Sequence, residues 1–531
     1  MKLFTRLVTL MTLLVASSAA DTVTLSKEKF LDKCKGAWAG QMIGVCYGAP
    51  YEFRSNAKPI TDPLRDWKSE FVEGAIDQDD CYVEMTFLKT IEDHGLNVTY
   101  EQAGKAFAAS QYPLWHANYY GRENCRRGVM PPMSGHPLYN RHADDIDFQI
   151  EADLFGILCP GLPQESNRLC DIFGRVMNYG DGLYGGMFVS GMYTAAYFED
   201  SDVRKVIDAG LACIPKESQY HQCISDVIAW HAAEPNDWLA VWKKIEDKWQ
   251  DDIDCSPDNT FNIDAKLNGA YIVMGLLYGN GDFAKTVEIS TRCGQDADCN
   301  PSNAVGVLGC IKGFKAIGEP FTAGIAKMAD TKFSHTDYSF NSLIPTCQRV
   351  TEQIIKHAGG KIADDAYTFT VQAPTPPTTL EQWTEQKALL AIPISATEMA
   401  WWDPKWTLVA CGTDMEPGLR GRALGRDNVL VLHPVSESTP AAMTASFHVP
   451  AGGRPELRID TASAKQGDYV LKVFINNEPK IEKIIDTKGE WTTVTFDLMP
   501  YTNKDIDIRI ENAANGWSYE AGYFGTVTVS P

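Results

Sequence analysis

The segment GAIDQDDCYVEMTFLKTIEDHG, residues 74–95, places two adjacent aspartates, Asp79 and Asp80, directly before an apolar stretch with helical character. One carboxylate at a helix entrance is explained by capping, because Asp accepts hydrogen bonds from exposed N–H groups and interacts favourably with the positive end of the helix. A second carboxylate beside it adds like-charge repulsion. The pair therefore indicates either a cap with an extra charge or one half of a cation site.

A second entrance of this kind lies about two hundred residues later. The segment RCGQDADCNPSNAVGVLGCIKGF, residues 292–314, carries Asp296 and Asp298 before another apolar helical stretch. Mg²⁺ is held by a few carboxylate oxygens, and a shared cation turns the repulsion between several Asp side chains into attraction. For each pair alone, capping and metal binding stay open. If the two pairs meet in space, the sequence predicts a magnesium site.

Around these entrances the chain has two different periodicities. From about residue 28 to residue 360, apolar residues recur at three- and four-residue spacing, and KLNGAYIVMGLLYGNG is apolar nearly all round, as in a helix at the centre of a bundle. Beyond residue 401 the alternation is two-residue, as in YVLKVFINN and DIDIRIEN. We predict an all-α domain over residues 21–370, a Pro/Thr-rich linker over 371–400 and an all-β sandwich or jelly roll over 401–531.

Charge and hydropathy exclude some functions and predict a compartment. The net charge of −21 argues against a nucleic-acid partner, which requires Lys and Arg to neutralise phosphates. No segment approaches the ~20 uninterrupted apolar residues of a membrane-spanning helix, so no membrane insertion is expected. Residues 1–20 have the charged, apolar and small-residue regions of a signal peptide with cleavage near Ala20, which predicts a secreted or periplasmic protein.

The fourteen cysteines allow two interpretations. In an exported chain they invite a disulfide framework, but several, such as Cys213 and Cys310, lie within apolar helical patterns where Cys behaves as a small buried hydrophobe. We favour the second interpretation for most of them. The spacings contain no CxxC pair, so a structural zinc site is not expected.

Four dispersed segments carry a resemblance to a known family. GAWAGQMIGVCYGAPYEF (36–53), QDDC (78–81), GDGLYGGMF (180–188) and GQDADC (294–299) resemble, in this order, the signature segments of the ADP-ribosylglycohydrolase family. The resemblance implies an all-α fold, a magnesium centre of one or two ions in a central cleft, and hydrolysis of a ribosyl glycosidic bond. The C-terminal region most resembles a galactose-binding-like or carbohydrate-binding module.

The resemblance also implies roles for particular residues. Glu52 and Asp80 are expected in catalysis, and the metal ligands are expected among Gln78, Asp79, Asp80, Asp296, Asp298 and Cys299. The substrate is expected to contact the glycine-rich segment at Gly180, Asp181, Tyr184, Gly185 and Gly186. Apart from the resemblance, the acidic cluster in residues 140–161 adds Asp147 as a candidate substrate contact. The chain departs from the family pattern at Val45, Gln78, Cys81 and Cys299, where an Asp and three threonines are usual. A thiol is a soft ligand poorly suited to Mg²⁺, so one of two metal sites is expected to be weakened.

Other acidic and aromatic residues leave alternatives open. If residues 140–161 form one helix, Asp144, Asp147 and Glu151 share a face, which is either a solvated surface or a place where Asp147 supports the substrate. Trp491, Trp517, Tyr519 and Tyr523 in the β-region either stack on sugars or fill a core or an interface.

Two functions follow from these residues. The first is an exported, metal-dependent hydrolase that cleaves a glycosidic bond in a small-molecule glycoside, ADP-ribosyl or glycan substrate. The second is a catalytically inactive sugar- or ADP-ribose-binding protein that retains the fold. The retained aspartates and Glu52 favour the first, and the departures at Gln78, Cys81, Cys299 and Val45 favour the second.

Overall fold

The computed structural model describes residues 22–250, 260–382, 394–412, 414–415 and 417–530. The segment predicted as a signal peptide lies outside the described residues. As predicted, the chain is a helical domain followed by a domain of antiparallel β-sheets. The helices are α1 Lys27–Gly48, α2 Asp79–His94, α3 Tyr100–Ala109, α4 His116–Arg126, α5 Asp147–Glu151, α6 Asp153–Leu158, α7 Pro163–Gly174, α8 Asp181–Ala196, α9 Val203–Leu211, α10 Gln219–Ala233, α11 Trp238–Trp249, α12 Ala265–Gly279, α13 Phe283–Arg292, α14 Cys299–Lys312, α15 Phe314–Ile317, α16 Glu319–Met328, α17 Phe340–His357 and α18 Ala396–Trp402. Short 3₁₀ helices cover Ala49–Tyr51, Ser69–Asp77 and Met499–Tyr501.

The centre of the helical domain consists of helices that are apolar on all sides. Helix α12 is buried along its whole length except at Tyr278, as its all-round apolar sequence predicts, and α8 and α14 are buried almost as completely. Because these helices expose no polar face, they can be stable only inside a bundle whose outer members are amphipathic. None of the described helices is long and apolar enough to cross a membrane.

Helices α1 and α14 approach each other unusually closely. Every fourth residue of α1 along the contact is glycine, and a methyl group at any of them would lie between 1.9 and 2.4 Å from a backbone carbonyl oxygen of the segment 297–309. Only a hydrogen atom fits at these positions. The glycines are Gly36, Gly40, Gly44 and Gly48. This contact brings the end of α1, where Glu52 follows, to the beginning of α14, where Asp296 and Asp298 lie.

A small sheet joins the two ends of the helical domain. Strand β1 (Thr22–Ser26) pairs antiparallel with β3 (Ala366–Thr370), which also pairs with β2 (Lys361–Ile362). Residues immediately after the predicted signal peptide are therefore paired with residues that follow α17.

The C-terminal domain is built from two five-stranded antiparallel sheets, with strand orders β10-β9-β12-β7-β4 and β11-β8-β13-β6-β5. Along β9 the side chains alternate between buried and partly exposed, as the two-residue periodicity predicts, and the buried ones form a core separate from that of the helices. The strands are β4 Thr407–Ala410, β5 Gly418–Ala423, β6 Arg426–Leu432, β7 Ala441–His448, β8 Glu456–Ser463, β9 Tyr469–Ile475, β10 Glu478–Ile485, β11 Thr492–Asp497, β12 Asp505–Ala513 and β13 Gly522–Ser530.

Helix α18 connects the two domains through two consecutive tryptophans. Trp402 is buried in the β-domain, where its indole N–H donates to the carbonyl of Gly525 at 3.0 Å. Trp401 stacks on Tyr120 of α4 with ring centroids 5.1 Å apart, and its indole N–H donates to Asn124 Oδ1 at 3.2 Å. Helix α4 of the helical domain is therefore in direct contact with the β-domain.

The thirteen described cysteines are all unpaired, and all but Cys411 are buried. Burial raises the pKa of several of their thiols, as at Cys81 and Cys223, so these groups are neutral. The finding agrees with the interpretation of these residues as small buried hydrophobes.

Candidate active site

Three chain segments that are distant in sequence converge at one end of the bundle. The loop after α1 pairs with the loop before α14, because Phe53 N donates to the carbonyl of Gln295 at 2.9 Å and Gln295 N donates to that of Ser55 at 3.1 Å. These bonds set Glu52 beside Asp298, the N-cap residue of α14. The third segment is the entrance of α2, which begins at Asp79 after the preceding 3₁₀ helix.

The three segments, together with the beginning of α4, helix α5 and the segment before α12, line a cleft of about 450 Å³, a volume within the range of small-molecule sites. Of the residues predicted for the site, those lining it are Glu52, Gln78, Asp79, Asp147, Asp296, Asp298 and Cys299. Asp80 is fully buried beneath the lining and receives a hydrogen bond from the Cys299 thiol at 3.3 Å. The two pairs of aspartates, more than two hundred residues apart in the chain, are thus brought together.

The carboxyl groups of the cleft shift one another's pKa upward. Burial, followed by the negative charges of Asp298 and Asp79, raises the pKa of Glu52 to about 7. Burial and Asp298 raise the pKa of Asp79 to about 6, and burial together with neighbouring aspartates raises those of Asp80 and Asp296 well above the usual range. Such shifts arise where like charges share a buried site, and a cation bound among them would act in the opposite direction.

The donor set fits a hard divalent cation. Asp80 Oδ1 and Asp298 Oδ1 are buried and make no hydrogen bond within the described part of the chain. Ligand atoms of Asp296, Asp298 and Cys299 lie within 4.8 Å of one another. Uncompensated carboxylate oxygens at this density are what Mg²⁺ requires. Burial and the surrounding aspartates raise the pKa of the Cys299 thiol well above its usual range, so Cys299 acts on Asp80 as a neutral hydrogen-bond donor.

The other departures from the family pattern lie in two places, the helical core and the cleft. Val45 and Cys81 are fully buried in the helical core. Gln78 is partly exposed in the cleft, precedes α2 and makes no side-chain capping bond, so its amide oxygen can approach a ligand. Only the departures at Gln78 and Cys299 therefore bear on the chemistry of the cleft.

The third acidic segment is not a solvated face. It forms two short helices, α5 and α6, and Asp147 and Glu151 are both buried. Asp147 accepts hydrogen bonds from Ala117 N at 3.2 Å and Asn118 N at 3.1 Å, so it caps α4 from another part of the chain. Burial raises the pKa of Asp147 to about 7, although these two bonds act in the opposite direction. The interpretation as a solvated surface is wrong, because these short helices lie inside the bundle.

The glycine-rich segment lies behind the cleft. None of the predicted substrate-binding residues in this segment is among the described residues that line the cleft. Tyr184 is buried, and its hydroxyl accepts a hydrogen bond from Glu381 N at 2.8 Å. Methyl groups at Gly185 and Gly186 would lie 2.6 Å from Gln149 Oε1 and 2.3 Å from the Phe148 ring. The two glycines serve close packing here; a substrate role for Gly180, Asp181, Tyr184, Gly185 and Gly186 stays a prediction.

The apolar side of the cleft was not predicted. We call the residues Phe53, Trp115, His116 and Phe261 the aromatic wall; all four line the cleft. The rings of Phe53 and Phe261 are 5.0 Å apart, and His116 is 5.9 Å from Phe261. His116 has a φ of +38°, which is rare outside glycine and often marks a functional position. No spacing in the sequence groups these residues, since they come from three separate segments.

A larger groove of about 750 Å³ on the outer side of α2 is not a candidate active site. Its charged groups neutralise each other, as in the pair Arg349–Glu92 at 3.1 Å and the pair Lys89–Asp93. It contains no counterpart of the buried carboxylate cluster among the described residues.

The aromatic residues of the β-domain also differ in position. Trp517 and Tyr519 are exposed on the loop before β13, so they do not fill the core. Trp491 is partly buried, donates to the carbonyl of Leu424 at 2.9 Å and lies under Arg426. A role in sugar stacking stays a prediction for Trp517 and Tyr519.

Fold and site together define the class: an all-α domain with an acidic cleft, followed by an all-β domain. The family model described as ADP-ribosylglycohydrolase matches residues 26–352, which is more than half of the chain, and the chain belongs to that family. Members of this family act on ADP-ribosylated substrates.

Two solved structures have weak similarity to the chain. A structure titled as an ADP-ribosylglycohydrolase-related protein complex is similar with 14% identity and a TM-score of 0.38, covering 61% of this chain and 99% of the other. A family GH115 4-O-methyl-alpha-glucuronidase with specificity for decorated arabinogalactans is similar with 10% identity and a TM-score of 0.17, covering 70% of this chain and 42% of the other. No curated protein matches the chain significantly.

Proposed function

We propose that this protein is an exported, magnesium-dependent hydrolase that cleaves a glycosidic bond in the acidic cleft. The observation that carries the proposal is the convergence of Glu52, Asp79, Asp296 and Asp298 on one cleft in a member of the ADP-ribosylglycohydrolase family. Export rests on the pattern of residues 1–20. The bond is ADP-ribosyl or another glycosyl linkage.

In this proposal the metal is held by aspartates from both helix entrances. Asp79 and Asp80 of α2 and Asp296 and Asp298 before α14 are the ligands, and the Gln78 amide oxygen is available as a further oxygen donor. When bound, Mg²⁺ orients sugar hydroxyls and lowers the pKa of water. Cys299 holds the Asp80 carboxylate in place through its thiol hydrogen bond.

Glu52 is the residue best placed to move a proton. It lines the cleft, and without a bound cation burial and the charges of Asp298 and Asp79 raise its pKa to about 7. A carboxyl group of this kind protonates a leaving group or activates water during cleavage of a glycosidic bond. We therefore assign Glu52 as the acid/base. We assign Asp80 to the metal alone, because it lies beneath the lining and has no surface toward a substrate.

Asp147 is a positioning residue in this scheme. Its carboxylate holds the first turn of α4 through Ala117 N and Asn118 N, and this turn carries His116 into the lining of the cleft. Removing that carboxylate is expected to change the shape of the cleft without removing a metal ligand.

The test is a hydrolysis screen of the purified protein with and without Mg²⁺ against ADP-ribosylated peptides, nucleosides and glycans. Asp298→Asn should abolish both hydrolysis and the heat of Mg²⁺ binding in calorimetry, with an unchanged helical circular-dichroism signal. Asp247→Asn is the matched control, because Asp247 is an exposed residue of α11 whose ion pair within the described part of the chain is with Lys243. Retention of full activity in Asp298→Asn would refute the proposed metal site.

The alternative of an inactive binding protein predicts a different result. That protein would bind a sugar or ADP-ribose in the calorimeter without hydrolysing any member of the panel. The departures at Gln78 and Cys299 are the observations that favour it. Gln78→Thr combined with Cys299→Thr would then create activity that the native chain lacks.

Export has its own test. The protein isolated from culture medium or periplasm of its source should begin at Asp21 when its N-terminus is sequenced. An N-terminus at Met1 in the cell interior would contradict this part of the proposal.

A further inference from the structure

We propose that the cleft takes a glycoside without phosphate groups, whose second ring lies against the aromatic wall of Phe53, Trp115, His116 and Phe261. This inference narrows the substrate class and rests on the proposed glycoside hydrolysis. It sets this chain apart from a hydrolase for the ADP-ribosyl group, which carries a diphosphate.

The negative charge of the cleft disfavours a substrate that carries phosphate groups. Its described lining contains no Lys or Arg, whereas seven carboxyl groups line it or lie directly beneath it. Two divalent cations, the larger number that the family implies, neutralise at most four of the seven. Arg54 acts on Glu52 but is itself exposed to solvent. A diphosphate would therefore meet a site that stays negative after the metal has bound. The seven groups are Glu52, Asp77, Asp79, Asp80, Asp147, Asp296 and Asp298.

The beginning of α8, in the glycine-rich segment, is an arrangement that could hold a diphosphate, but it is already filled by the chain itself. Gly180 N, at the beginning of α8, donates to Glu381 Oε2 at 3.1 Å, and Arg175 Nη2 donates to Glu381 Oε1 at 2.8 Å. A helix N-terminus with an adjacent arginine is an effective anion site. Here the carboxylate of Glu381 occupies it, and Arg175 has a second carboxylate partner in Asp171 at 2.7 Å.

The bond between Glu381 and the beginning of α8 is part of a longer contact between α8 and residues 379–381. The hydroxyl of Tyr184 accepts from Glu381 N and donates to the carbonyl of Thr379 at 3.4 Å. Glu381 and Arg175 are both largely buried side chains. An incoming phosphate would have to displace a buried ion pair together with this segment, which is far less favourable than binding to free N–H groups.

The aromatic wall provides a surface on which an uncharged ring of the substrate can bind. Trp115 is 55% exposed although it lines the cleft, so its indole face is open at the mouth. Phe53, His116 and Phe261 continue the wall inward with ring separations of 5.0 and 5.9 Å. Aromatic faces bind the flat apolar side of a sugar ring or a planar base without requiring charge. The acidic side of the cleft would hold the hydroxyl groups of the sugar at the reacting bond.

The experiment compares two probes that share a ribose and a planar base. Adenosine is uncharged and ADP-ribose carries a diphosphate; each is titrated into the full chain with saturating Mg²⁺ by calorimetry. Adenosine should bind at least about tenfold more tightly than ADP-ribose at low salt, and the gap should narrow as added salt screens the repulsion. Trp115→Ala should weaken adenosine binding about fivefold.

Two variants make the test specific. Ile484→Ala removes an apolar side chain of equal exposure, 54%, from the β-domain and should leave adenosine binding unchanged. Trp115→Arg adds a positive charge at the mouth of the cleft and should raise the affinity for ADP-ribose relative to adenosine. An equal loss of adenosine affinity in Trp115→Ala and Ile484→Ala would refute the role of the aromatic wall in binding.

Binding of ADP-ribose as tight as that of adenosine would overturn the inference, and so would the failure of both probes to bind at millimolar concentration. The hydrolysis screen keeps the two proposals separate. Cleavage of an ADP-ribosylated peptide with tight ADP-ribose binding leaves the glycohydrolase standing and refutes only the substrate class. Preferential adenosine binding without hydrolysis of any glycoside supports the substrate class and refutes only the glycohydrolase.

Discussion

The contact between α1 and α14 provides the most direct test of how the fold builds the cleft. In Gly40→Ala, the added methyl group would lie 2.1 Å from the carbonyl oxygen of Val305 and 2.7 Å from Gly306 Cα. Both obstacles are backbone atoms within a helix, so no side-chain rotation can relieve the clash. The helices must separate by about 1 Å to restore an ordinary van der Waals contact.

The expected cost follows from two opposing effects. Overpacking a well-packed core costs about 1–3 kcal/mol, and a backbone obstacle belongs at the upper end of that range. Alanine in place of glycine within a helix gains about 1 kcal/mol. We therefore expect Gly40→Ala to lower the free energy of unfolding of the helical domain by about 2 kcal/mol.

The same separation should weaken metal binding. Glu52 follows α1 and Asp298 begins α14, so a change in the distance between the helices alters the geometry of the carboxylate cluster. Urea denaturation followed by far-UV circular dichroism gives the stability, and calorimetry gives the Mg²⁺ affinity. The control is Gly74→Ala, whose methyl group has its nearest neighbour, Cys46 Sγ, at 3.5 Å. A Gly40→Ala protein as stable as Gly74→Ala, with unchanged Mg²⁺ affinity, would refute the reasoning.

Three further predictions concern pH and the contacts between segments. Burial raises the pKa of Asp153 to about 7, so the folded metal-free protein keeps a proton that the unfolded chain loses near pH 4, and stability should fall between about pH 4 and 7. Asp153→Asn should reduce this slope in urea titrations without abolishing it, because burial also raises the pKa of Glu52 and Asp147. An unchanged slope would contradict the assignment. Trp401→Ala removes the stacking on Tyr120 and should make the two domains unfold in separate calorimetric transitions; a single transition would show that other contacts couple them. Glu381→Ala leaves Arg175 without one partner of a largely buried pair and should cost about 3 kcal/mol in thermal unfolding, whereas a loss below about 1 kcal/mol would mean that solvent replaces the carboxylate.

Much of the architecture was readable because it depends on local periodicity. The all-round apolar sequence of α12 and the alternating residues of β9 each indicate within a few residues which side chains are buried, since burial selects side chains position by position. The carboxylate pairs before α2 and α14 were also visible, because repeated like charges at helix entrances require a common cause. The order of four motifs then indicated the family.

The interpretation of residues 140–161 shows where local patterns fail. Three carboxylates at helical spacing are compatible with a solvated face and with a role of Asp147 near the substrate, because their spacing does not indicate which residues pack against them. The bonds from Ala117 N and Asn118 N to Asp147 come from a helix thirty residues away in the chain. A partner of that kind has no signal in the spacing of the acidic residues.

The sequence by itself therefore determined the two kinds of domain, the paired carboxylates at two helix entrances and the family to which the chain belongs. Only the tertiary structure decided that the entrances share one cleft with Glu52, that aromatic rings from three segments face them, and that Glu381 closes the beginning of α8. The physical reason is that periodicity and charge act between near neighbours in the chain. The cleft instead depends on the close approach of α1 and α14, where glycines let distant segments meet.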